Sequence, residues 1–123
     1  SYTEEKGKWA DSFRAARLRI DEIELPKKLI TGKRVDIFVK LSQLDYPNNR
    51  VRKTRSGGVE IIFVNGNEEF RFYSVNEGDG RFVINIDEET AKSFHGTYTA
   101  IYTASLDGKY SSTKIDQISF TEE

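Results

Sequence analysis

The chain contains no cysteine, and this one absence excludes disulfides, thiolate zinc sites and cysteine nucleophiles together. It has one histidine, His95, so no site can be built on two imidazoles. Neither sign of charge is in excess: 19 Lys and Arg stand against 20 Asp and Glu, a net charge of −1. Domains that bind nucleic acid run strongly basic, so no nucleic-acid partner is expected. No stretch approaches the roughly 20 apolar residues that span a bilayer, so no membrane insertion is expected either. The opening residues Ser1 to Lys6 do not read as a signal peptide.

What is present is enough for one folded domain. Of the 123 residues 37% are apolar and 12% aromatic, and Val, Ile, Leu and Phe recur in ordered blocks. A chain of this length buries about two thirds of its unfolded surface without needing staples.

Strand-like patterns dominate. Val35, Ile37, Val39 and Leu41 alternate with Arg34, Asp36, Phe38 and Lys40, which predicts a half-buried antiparallel strand. Leu18 and Ile20, then Ile23 and Leu25, show the same alternation with a slip between the pairs, the mark of a bulge or of a switch of pairing partner. Further strands are predicted over 50–54, 59–64, 69–75, 81–86, 97–105 and 110–121. They are separated by turn sequences such as Ser56-Gly57-Gly58, Asn65-Gly66-Asn67, Asn76 to Gly80, and Asp107-Gly108. Asp87 to Phe94 reads as one or two helical turns with Asp87 as the N-cap. Seven or eight short strands with a turn about every ten residues predict an all-β sandwich or barrel. Residues 1–16 differ: Trp9, Phe13 and Ala16 fall on one helical face among charges, so this stretch reads as an arm, helical or extended, appended to a body over 17–123.

The passage Phe82 to Ile86, a short helical crossing, then Gly96-Thr97-Tyr98-Thr99-Ala100 resembles the immunoglobulin-type sandwich at its E–F corner. Thr31 to Val39 resembles strand B of the same fold. The resemblance places Tyr98 as the corner tyrosine, with Val39 and Ala100 where that fold carries its two cysteines. Disulfide-free modules of this kind occur in cell-surface proteins and in phage tail and capsid decorations. The resemblance therefore implies an antiparallel Ig-like sandwich with a scaffold or docking role, in an extracellular or virion setting, and it carries over no catalytic residues.

No catalytic constellation surrounds His95, which reads as a loop histidine. The acidic groups Glu68-Glu69, Glu77/Asp79 and Asp87-Glu88-Glu89 lack the spacing of a calcium loop and read as solvated turns, so neither metal nor cofactor is expected. Arg50, Arg52, Lys53 and Arg55 form a basic cluster, read as an edge strand protected by charge or a patch facing a partner. Phe70, Phe72, Tyr73, Tyr98, Tyr102 and Tyr110 read as core and rim, or alternatively as a sugar-stacking platform.

Charge is blocked along the chain. Residues 27–55 carry 9 basic and 2 acidic groups, and residues 56–90 carry 2 and 8. The blocks either pair inside the fold or dock between subunits. The sequence thus points to a non-enzymatic interaction module that docks to a protein partner or another copy of itself through Trp9, Phe13 and the basic cluster. A carbohydrate-binding module using exposed tyrosines is the alternative.

Overall fold

The computed structural model describes residues 17–45 and 50–123. The arm over residues 1–16, with Trp9 and Phe13, lies outside the described residues, as does Tyr46. The described chain forms ten strands and one short helix: β1 (Leu18–Glu24), β2 (Leu29–Ile30), β3 (Val35–Asp45), β4 (Arg50–Lys53), β5 (Gly58–Asn65), β6 (Glu68–Tyr73), β7 (Val75–Gly78), β8 (Arg81–Ile86), α1 (Glu88–Ala91), β9 (Gly96–Leu106) and β10 (Tyr110–Thr121).

The strands make two sheets. One has the order β1-β3-β8-β7, with β4 also on β3; the other has the order β2-β10-β9-β5-β6. All pairs are antiparallel except β2 with β10, which is parallel. The fold is all-β and sandwich-like. Alternation dictates its interior: Val35, Ile37, Val39 and Leu41 of β3 meet Ile61 and Phe63 of β5 and Ala100 and Tyr102 of β9 in one buried cluster. β1 shifts register between Ile20 and Glu22, where the alternation slips.

Three short strands depart from the sequence reading. The two residues of β2 carry no period, and they take strand geometry only because Leu29 and Ile30 lie beside Phe120 and Thr121. The predicted strand over 69–75 is two strands, broken at Ser74, where the chain passes from one sheet to the other. Asn76 to Gly80, predicted as a turn, continues as β7 to Gly78 and turns only at Asp79 and Gly80, both at positive φ.

At one end of the sandwich the helical crossing closes the core. The Asp87 side chain accepts the Thr90 N–H at 2.8 Å and starts α1. Phe94 follows, fully buried, with ring centroids 4.8 Å from Phe70, 5.0 Å from Phe120 and 5.4 Å from Phe63. At the opposite end Gly57 and Gly80 let backbones meet. A Cβ on Gly57 would collide with the Ser105 carbonyl oxygen, and one on Gly80 would lie 2.6 Å from that of Leu41.

Candidate functional site

The basic cluster lies at this second end. β3 runs past the start of β8, and β4 takes the vacated place beside it, pairing Asp45 with Arg50, Leu44 with Val51, Gln43 with Arg52 and Ser42 with Lys53. Thr54 dips into the core and its N–H donates to the Leu41 carbonyl at 3.2 Å. Its hydroxyl has no hydrogen-bond partner among the described residues. The chain re-emerges at Arg55, whose carbonyl accepts from the Asn76 side chain at 2.9 Å and so ties the strip to β7.

The four cations of the cluster are all exposed, but they are not equivalent. Arg52 donates to Asp45 at 2.6 Å, and Gln43 donates to the other carboxylate oxygen at 2.9 Å. Burial pushes the Asp45 carboxyl up, but the hydrogen bonds from Arg52 and Gln43 and the charges of Arg52 and Arg17 outweigh it, so its pKa is lowered. Arg52 is thus held by its own strand pair. Arg50, Lys53 and Arg55 have no carboxylate within 4.0 Å among the described residues.

Among the described residues the charge blocks 27–55 and 56–90 do not meet in ion pairs. Lys40 bridges Glu22 and Glu24, Lys33 reaches Glu123, and Arg34 and Arg52 pair inside their own block with Asp36 and Asp45. Of the acids of 56–90, Glu60 and Glu69 are held by Arg71 and Glu77 by Arg81 from within the block, and Glu89 is held by Lys92 just beyond it. Among the described residues the one cross-block contact of a cation with an aromatic ring is Arg81 over Phe38 at 4.4 Å.

Tyr98 sits two residues into β9, 2% exposed. Its hydroxyl accepts the His95 N–H at 3.1 Å and faces the Ser93 carbonyl at 3.5 Å. His95 itself is exposed, with Nδ1 2.8 Å from Glu122. Of the aromatic set, Tyr98 and Tyr102 are buried, Phe70, Phe72 and Tyr110 half-buried, and Tyr73 alone is exposed. No three His, Asp or Glu side chains converge on a metal-binding point among the described residues. No described helix is long and apolar enough to cross a membrane.

Sequence reasoning missed the apolar residues left in water. Ile115 is 65% exposed and Val75 60%. Ile115 lies opposite Ile101, and Ile101 opposite Ile62, so the three form one row across the outer face of the second sheet. Parity alone contained this signal: Ile118 and Phe120 share a face of β10, and Ile115, three residues before Ile118, must take the other. An open groove of about 440 Å³ lies between Leu25–Leu29 and Gln117–Thr121, with Lys27 and Lys28 on its rim.

Comparison with protein-family models, with curated proteins and with solved structures found no match.

Proposed function

We propose that this chain is a non-catalytic, immunoglobulin-like interaction module that docks through the basic edge at β4 to an acidic surface of a protein partner or neighbouring subunit, in an extracellular or virion assembly. The strand order supports the Ig-like reading. β1-β3-β8-β7 corresponds to A-B-E-D of that fold, and β5-β9-β10 to C-F-G. Tyr98 supports it as well: it lies near the start of the strand equivalent to F, and its hydroxyl engages backbone a few residues upstream. Val39 and Ala100 are fully buried in opposite sheets, at the positions the resemblance gives to the cysteine pair.

The observation that carries the docking reading is the state of Arg50, Lys53 and Arg55, three exposed cations on one edge without a carboxylate among the described residues. Like charges gathered on an edge strand keep identical edges apart and attract an acidic partner. The carbohydrate alternative needs several exposed aromatics. Five of its six are at least half-buried, leaving Tyr73.

Polyglutamate serves as the probe. Saturable binding at 0.05 M salt is expected, weakened at least tenfold by the combined Arg50→Glu, Lys53→Glu and Arg55→Glu changes and kept by Lys27→Glu with Lys28→Glu. No saturable binding, or equal loss in both variants, would overturn the assignment of the site.

A further inference from the structure

β10 leaves most of one edge unpaired. Among the described residues its outer side is bonded only at Phe120 and Thr121, by β2. Upstream of that contact Thr113, Lys114, Ile115, Asp116 and Gln117 are all exposed, on both faces of the sheet. The register tells which backbone groups face outward. The Thr121 carbonyl accepts the Thr31 N–H at 3.0 Å on the side of β2, and the pairing of β10 with β9 runs from Tyr110 to Phe120 without a shift. The two backbone groups of a strand residue point to the same side and alternate from residue to residue. Thr113, Ile115 and Gln117 therefore direct theirs away from β9, as Thr121 does. The Gln117 N–H agrees, since it donates to the Asp116 side chain at 2.8 Å.

Edge strands are often blunted by charges on the core-facing side. β10 has two, Lys114 and Asp116, which lie opposite the buried Tyr102 and Ala100. They are of opposite sign and flank Ile115 symmetrically. A second β10 laid antiparallel with Ile115 opposite Ile115 sets each Lys114 against an Asp116 and each Thr113 against a Gln117. That register also joins outward-facing residues to outward-facing residues, as an antiparallel ladder requires. A slip of two residues either way sets Lys114 against Lys114 or Asp116 against Asp116, and like charges directly opposite destabilise. On the other face Ile115, 65% exposed, ends the row Ile62–Ile101–Ile115. The same register covers its open flank with the second copy's Ile115 and carries the row on.

We propose that β10 is a self-association edge, at which two copies of the chain pair β10 with β10 antiparallel about a two-fold axis at Ile115 and join their second sheets into one. A contact of this kind is isologous and closes as a dimer. The inference does not rest on the docking edge at β4. That edge gathers cations of one sign and repels its own copy, whereas β10 balances its charges about a centre.

The chain has no cysteine, so a single one reports the axis. The two Ile115 Cα atoms would stand about 5.5 Å apart, inside disulfide range. Ile115→Cys is expected to form a covalent dimer under mild oxidation. Ile101→Cys, one strand further in, would be three strand spacings from its copy, about 14 Å, and is expected not to crosslink. Sedimentation equilibrium of the unaltered chain is expected to show monomer and dimer in exchange. Lys114→Glu, which sets a carboxylate against Asp116, is expected to weaken the dimer about tenfold, and adding Asp116→Lys to restore it. An unaltered chain that stays monomeric up to about 1 mM would overturn the proposal. So would Ile101→Cys crosslinking as readily as Ile115→Cys, because the sheets would then meet face to face. Association untouched by Lys114→Glu, or not restored by Asp116→Lys, would overturn the register.

Discussion

The backbone N–H of His95 donates to the Tyr98 hydroxyl at 3.1 Å, across the tight passage from α1 into β9. This bond fixes the place where the chain leaves the crossing, and Phe94, one residue earlier, is thereby held in the aromatic cluster. Tyr98→Phe keeps the ring and removes the acceptor. It is expected to lower stability by about 1 kcal/mol, seen as a lower urea midpoint at unchanged slope. An unshifted midpoint would mean the corner bond contributes nothing net.

Tyr102, on the same face of the same strand, is expected to behave in the opposite way. It is fully buried, and its hydroxyl has no hydrogen-bond partner among the described residues. Burial, with the Asp116 carboxylate adding to it, pushes its pKa up to about 12. Tyr102→Phe removes an unsatisfied group, so stability should hold or rise by up to about 1 kcal/mol. The alkaline sign follows from linkage: the unfolded tyrosine ionises near pH 10 and the folded one only near 12, so its contribution is complete below pH 10 and is lost as pH rises towards 12. Melting temperatures of both proteins between pH 9 and 12 should therefore fall less steeply in the variant. Parallel curves would exclude a raised Tyr102.

The elements set by local pattern were legible in the sequence, and those set by distant partners were not. The alternation of Val35 to Leu41, the slip after Ile20 and the Asp87 cap each declare themselves within a few residues, and each is present in the fold. β2 is invisible because a two-residue strand exists only beside Phe120 and Thr121. The break at Ser74 has a tertiary cause too, since its N–H and hydroxyl both bind Val59 as the chain changes sheets. For the candidate site, composition marked the basic cluster but could not distinguish Arg52, taken up by Asp45, from Arg50, Lys53 and Arg55. That distinction depends on strand register.

Gly80 is where β8 begins against β3 and β4, at φ +76, and its carbonyl accepts the Leu41 N–H at 2.8 Å. A Cβ there would stand 2.6 Å from the Leu41 carbonyl oxygen and 3.0 Å from Lys53 Cβ, in addition to the strained φ. Gly78, at φ +88, has open space around it and carries the conformational cost alone. Gly80→Ala is therefore expected to cost about 1–3 kcal/mol and to cost more than Gly78→Ala under the same denaturant titration. Equal costs would mean the contact with β3 and β4 relaxes freely.

The acid limb of stability should trace to carboxylates held below their ordinary values. The Thr90 backbone N–H lowers Asp87, with its hydroxyl and the Arg34 charge adding to it against a small opposing burial. Lys40 lowers Glu22 in the same direction. A carboxylate with a depressed folded pKa binds protons more readily when unfolded, so its contribution is present above the unfolded value of about 4 and is lost as pH falls through the folded one. Asn caps a helix about as well as Asp but does not titrate. Asp87→Asn should thus leave the melting temperature near pH 7 almost unchanged and flatten its decline between about pH 4 and 2. Arg52→Gln should act on Asp45 in another way: with the guanidinium gone, burial meets less opposition and the folded carboxyl rises towards its unfolded value. Stability near pH 7 then falls, and the part of the acid decline owed to Asp45 becomes shallower. If Asp87→Asn instead left the acid limb in place, the titration would have to be sought in other carboxylates.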